Sequence, residues 1–157
     1  MLVKTIGLIR TPHKNLEDMP IQPNGAAGVT GVIVLDEDYA SGLADLGGFS
    51  HIYLIYQFHK ATRTEMEVMP FMDSKKRGVF ATRSPLRPNH IGLSIVELVS
   101  VDGLKITVCN VDMLDKTPLL DIKPYIKEFD HMENTRSGWL KATGEDLRQK
   151  RSDNRFI

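Results

Sequence analysis

A polar loop stiffened by two prolines carries the densest group of residues able to do chemistry. Between Arg83 and His90 the chain places two guanidinium groups, an amide at Asn89 and an imidazole. Pro85 and Pro88 fix their own φ angles and restrict the residues before them to extended conformations. A backbone stiffened in this way holds reactive groups in place with little loss of chain entropy on binding. The pattern indicates a binding or catalytic loop, and the alternative is a polar turn without a ligand.

The positive charge of the chain is concentrated around this loop. The protein is neutral overall, with 20 Lys and Arg against 20 Asp and Glu, but residues 57–94 hold seven basic and three acidic side chains. Lys75, Lys76 and Arg77 are consecutive and precede the loop. A local basic patch binds phosphate even when the whole molecule carries no net charge. The cluster therefore predicts a phosphate contact, with a solvated loop as the alternative.

Length and composition favour one domain over residues 1–157. A chain of this size builds a single core, and its apolar fraction of 41% is ordinary for a globular protein. No apolar run is long enough to span a membrane, and the first residues lack the apolar core of a secretory signal. Cys109 is the single cysteine, so neither an internal disulfide nor a thiolate metal cluster is expected. These features predict a cytoplasmic protein.

The elements that must position the loop are mainly strands. Leu104, Ile106 and Val108 alternate with more polar residues, and Asp102-Gly103 predicts a hairpin before them. Short helices are expected at residues 36–46 and 144–150. The pattern predicts a mainly β fold, a closed or nearly closed β-barrel with short helices and long functional loops. The predicted strands cover residues 3–9, 29–35, 51–58, 79–82, 93–101 and 104–111.

Two blocks of sequence resemble the signatures of the TsaA-like (TrmO-like) family. Residues 83–94 read RSPLRPNHIGLS, against a family pattern R-S-x-x-R-P-N-x-I-G-L-S. Residues 112–125 read DMLDKTPLLDIKPY, against D-x-x-D-G-T-P-x-x-D-I-K-P-Y, with Lys116 at the position of the glycine. Residues 6–12 and 49–51 also match, so the resemblance covers about residues 5–130 and leaves a polar C-terminal segment, 131–157.

The resemblance implies a β-barrel methyltransferase that uses S-adenosyl-L-methionine. Characterised members of the family methylate the exocyclic nitrogen of threonylcarbamoyl-adenosine, next to the anticodon of transfer RNA. They work as homodimers, with the cofactor near the subunit interface. For this chain, neither a membrane nor a metal partner is expected. The absence of a G-x-G-x-x-G turn agrees with a cofactor site unlike that of Rossmann enzymes.

The family's cofactor site, carried over position by position, falls on five segments. Arg83 is expected to hold the cofactor carboxylate, and Asp121 its ribose hydroxyls or amino group. Phe58, Leu93 and Ile122 are expected to pack against adenine and the thioether chain, unless they belong to the core. The complete set is Gln22, Pro23, Asn24, Phe58, His59, Lys60, Arg83, Leu93, Leu119, Leu120, Asp121 and Ile122.

Methyl transfer to a delocalised nitrogen requires loss of its proton, so a general base is expected. His59, His90, Asp121 and Tyr125 are candidates, and Tyr125 and Asp121 rank first because the second block places them together. The substrate's carboxylate or phosphates are expected to meet residues of both loops and the basic cluster. These substrate contacts are Arg87, Asn89, Lys123, Lys75, Lys76 and Arg77.

Two other functions fit the same residues. The first is a methyltransferase of the same fold with a different substrate. The second is a module that binds S-adenosyl-L-methionine or RNA without catalysis.

Overall fold

Six antiparallel strands close into a barrel, as the alternating apolar pattern predicts. The computed structural model describes residues 2–17 and 19–156. The barrel strands follow one another around the wall in the order β1-β2-β7-β6-β3-β8, and β8 pairs again with β1. Two further strands, β4 and β5, form a separate two-stranded sheet. The strands are β1 (Gly7–Arg10), β2 (Thr30–Leu35), β3 (His51–Gln57), β4 (Glu67–Val68), β5 (Arg77–Gly78), β6 (Ile91–Asp102), β7 (Lys105–Cys109) and β8 (Thr117–Pro124).

The barrel core follows from the two-residue period of its strands. In β6, Ser94, Val96 and Leu98 point inward and are buried, while Leu93 and Ile95 lie on the outer face. Alternate side chains of a strand lie on opposite faces, so each strand contributes one apolar row to the interior. Fully burying a large aliphatic side chain contributes about 1.5–3 kcal/mol. The fully buried members of the core include Ile9, Ile33, Ile52, Leu54, Ile106, Val108, Val111 and Leu119.

The predicted hairpin between β6 and β7 is confirmed. Asp102 pairs with Lys105, and Gly103 between them has a φ of 55°. This left-handed conformation is open to glycine without steric cost.

Two segments differ from the predicted pattern. Val79–Ala81 forms a 3-10 helix rather than a strand, because the Thr82 backbone N–H and hydroxyl both donate to the Val79 carbonyl and close a turn. Strand β8 lies in a segment whose sequence shows no strand period. Pro118, Pro124 and the charged residues between them interrupt the apolar alternation, although the backbone pairs with both β1 and β3.

Helices are short and lie outside the barrel wall. The helix expected over residues 36–46 is present as two 3-10 helices, Glu37–Leu43 and Leu46–Gly48. Of the α-helices, α1 covers Lys127–Asp130 and α2 covers Gly144–Gln149, where a helix was predicted. Across residues 2–17 and 19–156, no helix is both long and apolar enough to cross a membrane.

The C-terminal segment folds back onto the loops that follow β1. Helix α2 packs on the 3-10 helix Pro23–Ala26, where a Cβ on Gly25 would lie 3.3 Å from the Arg148 carbonyl oxygen. The Ser152 N–H donates to the Met19 carbonyl at 2.7 Å. Residues 144–152 are thereby held beside residues 19–26, a stretch that includes predicted cofactor contacts.

Candidate active-site cavity

One end of the barrel carries the proline loop and two further loops. Strands β1, β3 and β7 end there, and β2, β6 and β8 begin there, because neighbouring strands are antiparallel. The loops 11–29, 58–90 and 110–116 therefore emerge at the same end. Together with the C-terminal segment they line a cavity of about 1350 Å³. Clefts of this kind are the usual location of small-molecule sites.

Most of the predicted cofactor residues line this cavity. Gln22 and Arg83, 61 positions apart, are joined by a hydrogen bond of 2.7 Å from the Arg83 guanidinium to the Gln22 side-chain oxygen. Arg87 reaches the cavity as well, while its guanidinium donates to the Thr82 and Ser84 carbonyls of its own loop. The predicted cofactor contacts on the cavity wall are Gln22, Pro23, Asn24, Phe58, His59, Lys60, Arg83 and Leu93.

The second signature block reaches the cavity with its first half only. Asp112, Met113, Leu114 and Thr117 line the cavity, but residues 119–125 do not. Asp121 lies four residues along β8 from Thr117, a distance of about 13 Å at the rise of a strand. Leu119, Leu120, Asp121 and Ile122 therefore do not line this cavity within one copy of the chain, and their contact with the cofactor stays a prediction.

The residues of this second half have other contacts. Leu119 is fully buried in the barrel core, and Ile122 packs against that core. Asp121 forms an ion pair with Lys123 at 2.9 Å. The Tyr125 ring packs against His51 and Tyr53, with ring centroids 6.4 and 5.8 Å away. The two residues ranked first as general base, Tyr125 and Asp121, are thus not on the cavity wall, although Tyr125 packs against His51, which is.

The other predicted substrate contacts have different surroundings. Lys75, Lys76 and Asn89 are exposed. Arg77 is held by Asp73 through a hydrogen bond of 2.6 Å, which lowers the pKa of that carboxyl. Its guanidinium also lies over the Trp139 ring, 5.6 Å from the centroid. Of the basic cluster, Lys75 and Lys76 extend into solvent, whereas Arg77 attaches the C-terminal segment.

The two histidines named as candidate bases have different roles in the structure. His90 has a φ of 49°, and its Nδ1 donates to the Pro85 carbonyl at 2.8 Å, so it holds the proline loop in shape. His59 lines the cavity, and its Nδ1 lies 3.4 Å from the Thr117 hydroxyl. Burial, and then the Lys60 charge, lower the pKa of His59 from its usual value. Only His59 of this pair is placed to act in the cavity.

Asp115 anchors the second block to the end of β1. Its carboxylate accepts hydrogen bonds from Arg10 Nε at 3.1 Å, Lys14 Nζ at 2.7 Å and the Thr11 backbone N–H at 3.0 Å. These donors hold the pKa of Asp115 well below its usual range, against the opposing effect of burial. The next residue, Lys116, has a φ of 63°, so the turn keeps the left-handed conformation that suits the family's glycine. The anchored turn fixes the direction in which Asp112 enters the cavity.

Asp112 was not among the predicted site residues. It is 8% exposed, lies on the cavity wall, and accepts a hydrogen bond of 2.8 Å from Ser94. Burial raises its pKa to about 6, although the Ser94 hydrogen bond and the Arg83 charge act in the opposite direction. Its position as the first residue of the second block was the available signal, whereas its contact with Ser94 appears only in the structure.

The C-terminal segment forms one side of the cavity. Trp139, Leu140, Leu147 and Phe156 lie on its wall. The Trp139 Nε1–H donates to the Ala81 carbonyl at 2.8 Å, which holds the segment beside the first signature block. Sequence patterns gave no indication of this contact, because residues 131–157 lie outside both blocks.

Comparison with known proteins decides the family. Residues 8–131 match the model of the tRNA-methyltransferase O N-terminal domain. The chain belongs to this family. Residues 132–156, including the cavity-lining Trp139, lie beyond the matched range.

Relatives of the chain include archaeal and mammalian proteins. A probable S-adenosyl-L-methionine-binding protein of Pyrococcus abyssi is 47% identical over 154 residues, which are 98% of this chain and 84% of the relative. A tRNA (adenine(37)-N6)-methyltransferase of Mus musculus is 43% identical over 95 residues, 59% of this chain and 22% of the mouse protein. The crystal structure of TrmO from Pseudomonas aeruginosa matches with a TM-score of 0.75 and 33% identity. That match covers 89% of this chain and 62% of the solved one.

Proposed function

We propose that this protein is an S-adenosyl-L-methionine-dependent methyltransferase that modifies an adenosine of tRNA. The observation that carries the proposal is the cavity, which unites Gln22, Arg83 and the first half of the second signature block. The mouse relative is named for methylation of adenine 37, and the Pyrococcus relative for cofactor binding. The finer proposal is that the target is the exocyclic nitrogen of threonylcarbamoyl-adenosine next to the anticodon.

The residues of the cavity fit the chemistry of this cofactor. An Arg83 guanidinium suits the carboxylate of the cofactor. Phe58 and Leu93 offer apolar surface for the adenosine part. When bound, the cofactor supplies an activated methyl group on a sulfonium. The protein then has to bind, to align the accepting nitrogen, and to exclude water.

A second copy of the chain would complete the site. Strands β8, β3 and β6 are neighbours, and the outer face of β6 carries an apolar row. In that row Leu93 is 54% exposed and Val99 57%, with Ile91 and Ile95 beside them. Contiguous exposed apolar residues mark a protein interface, and a two-fold axis would pair this face with itself. Such a homodimer brings Asp121 and Tyr125 of one copy toward the Leu93 side of the other copy's cavity.

For the RNA, the exposed lysines of the basic cluster are the proposed phosphate contacts. Lys75 and Lys76 extend from the segment that leads into the first signature block, so an RNA backbone bound there lies near the cavity. Arg87, Asn89 and Lys123 remain the proposed contacts of the substrate's own carboxylate and phosphates.

Two measurements test the proposed activity. Calorimetry with S-adenosyl-L-methionine should show binding, and methyl transfer should occur to tRNA that carries the threonylcarbamoyl group but not to tRNA that lacks it. Cofactor binding without transfer to any tRNA would instead favour a binding module, a function consistent with the names of the archaeal relatives. Transfer to both tRNAs would keep the enzyme and reject the finer substrate.

Mixing two inactive variants tests the shared site. Arg83→Ala and Asp121→Ala each remove one side of the proposed site. If the sides come from different copies, an equilibrated equal mixture contains about one quarter of intact sites and recovers a matching share of activity. If Arg83 and Asp121 served one site within the same copy, the mixture would recover no activity. A mixture of Arg83→Ala with Gln22→Ala is the matched control and should recover none, because the Arg83 and Gln22 side chains are hydrogen-bonded within one chain.

A further inference from the structure

A chain of three hydrogen-bonding groups runs through the barrel interior to the cavity. The Tyr56 hydroxyl lies 3.0 Å from Ser94 Oγ, and Ser94 Oγ donates to Asp112 Oδ1 at 2.8 Å. Since the Ser94 proton is committed to the carboxylate, Tyr56 donates to Ser94. Burial raises the pKa of Tyr56, so its hydroxyl stays protonated. The chain therefore points in one direction, from Tyr56 through Ser94 to Asp112.

The first signature block makes room for this chain. A Cβ at Gly92 would overlap the Tyr56 ring. Ser94 lies two positions further on the same inward face and accepts the hydrogen bond from the Tyr56 hydroxyl. A buried polar chain is costly unless every member is bonded, and each member here has a partner. The arrangement leaves Asp112 as the end of the chain, with 8% of its surface exposed at the cavity.

We propose that Asp112 is the catalytic proton acceptor for the nitrogen that becomes methylated, with Ser94 and Tyr56 as positioning residues. This inference rests on the function proposed above. The nitrogen's N–H bond breaks and its proton passes to the Asp112 carboxylate. The nitrogen forms its new bond to the methyl carbon, and the electron pair of the broken S–C bond stays with sulfur. The nitrogen loses one proton and gains one methyl group, so no oxidant or further reactant is needed.

The surroundings of Asp112 suit this role. A general base works best when its pKa lies near the working pH. Burial brings the pKa of Asp112 to about 6, while Ser94 from β6 and Arg83 from the proline loop keep the charged form accessible. Tyr56 from β3 faces the same group, and His59 and Lys60 line the same cavity. His59 is the competing base, because it lines the same cavity and its lowered pKa favours the neutral imidazole.

Carbon-detected NMR titration of the aspartate carboxyls tests the site without cofactor or RNA. The signal missing from Asp112→Asn should titrate at about pH 6 in the wild type. Ser94→Ala removes a hydrogen bond to the charged form, so the midpoint should move to higher pH, whereas Ser100→Ala, on the same strand but exposed, should leave it unchanged. A midpoint near that of ordinary aspartates, or one unaffected by Ser94→Ala, overturns the proposal.

Single-turnover methylation of threonylcarbamoyl-tRNA tests the proton transfer itself. Asp112→Asn should lower the rate at least about 100-fold at saturating cofactor and leave the Kd for S-adenosyl-L-methionine nearly unchanged. Asp102→Asn, which removes the same charge from an exposed site on β6, should leave the rate unchanged. In Ser94→Ala, the acidic limb of the rate profile should move to higher pH together with the NMR midpoint.

The remaining outcomes separate the alternatives. Loss of cofactor affinity with an unchanged rate in Asp112→Asn would make Asp112 a contact of the cofactor's ammonium group and overturn the proposal. A limb that persists in Asp112→Asn and disappears in His59→Gln would assign the base to His59 and overturn it as well. If Asp112→Asn does not fold, the shift of the acidic limb of the rate profile in Ser94→Ala decides alone. If the wild type binds cofactor but methylates no tRNA, the proposed function is rejected, and the proton-acceptor role with it. If the wild type is active and Asp112→Asn methylates at the same rate, only the proton-acceptor role is rejected.

Discussion

The two halves of the second signature block are adjacent in sequence and separated in space. Asp112, Met113, Leu114 and Thr117 line the cavity, whereas the rest of β8 continues along the barrel wall to Pro124, and residues 119–125 lie off the cavity wall. The difference arises because a strand moves away from its starting loop by about 3.3 Å with each residue and sends alternate side chains to opposite faces. A linear motif can therefore serve a site at one end and a wall or an interface at the other.

Among substitutions in the second block, Asp115→Ala should lower the free energy of unfolding most, because it releases the turn at residues 112–117 from β1. Asp115→Ala removes the carboxylate to which Arg10, Lys14 and the Thr11 N–H donate, and should lower the free energy of unfolding by about 2 kcal/mol. Chemical denaturation at neutral pH measures this. The folded-state pKa of Asp115 is lowered, so its stabilisation is present above the ordinary aspartate pKa and is lost as the pH falls below it.

The pH dependence supplies a check on the same variant. The difference in unfolding free energy between wild type and Asp115→Ala should shrink as the pH falls from about 5 toward 2. A difference that stays constant over this range would mean that the ion pairs do not anchor the turn.

Replacing Arg83 should weaken cofactor binding in the cavity and leave the stability of the barrel nearly unchanged. The Arg83 side chain is exposed and bonds only Gln22 in the structure described, so Arg83→Ala should change stability little. Loss of a charge-assisted hydrogen bond should weaken S-adenosyl-L-methionine binding about 10- to 100-fold. Calorimetry measures the affinity, and Arg136→Ala, exposed on the C-terminal segment, is the matched control. Unchanged affinity would remove Arg83 from the cofactor site.

The smallest effect on stability is expected for the ion pair between Lys123 and Asp121, in the second half of the block. The Lys123–Asp121 distance of 2.9 Å resembles the Lys14–Asp115 distance of 2.7 Å, but both partners of the outer pair are substantially exposed. Exposed pairs contribute about 0–1 kcal/mol, so Lys123→Ala should lower stability by less than about 0.5 kcal/mol. A loss as large as that of Asp115→Ala would show that residues 119–125 are anchored like residues 112–117.

Several features of the fold follow from local sequence. The period of β6 and β7, the Asp-Gly hairpin and the short helix α2 were predictable, because side-chain alternation, turn residues and capping act over a few positions. In α2, for example, Thr143 and Asp146 form a capping box. Strand β8 was not predictable from its pattern, because its prolines and charges hide a backbone that pairs on both sides with distant strands.

The residues of the candidate site were likewise predictable only in part. The proline loop was recognisable from residue types alone, and the structure brings Arg83, Arg87 and Gln22 to one cavity. Asp112 was missed because a carboxylate shows no sign of burial in the sequence; its burial depends on the barrel closing around Ser94 and Tyr56. The contribution of Trp139 was missed because it depends on how the C-terminal segment folds back over the loops.

By itself the sequence determined the alternation that builds a barrel, the stiffness of the proline loop, and the two blocks that mark the family. These properties are encoded over short stretches, where covalent geometry and side-chain period act directly. Only the tertiary structure decided which half of the second block meets the first, and which aspartate is buried at the cavity while its neighbour three residues away is neutralised by cations. Those outcomes depend on barrel closure, which places residues distant in sequence in contact and sets how much water each charge retains.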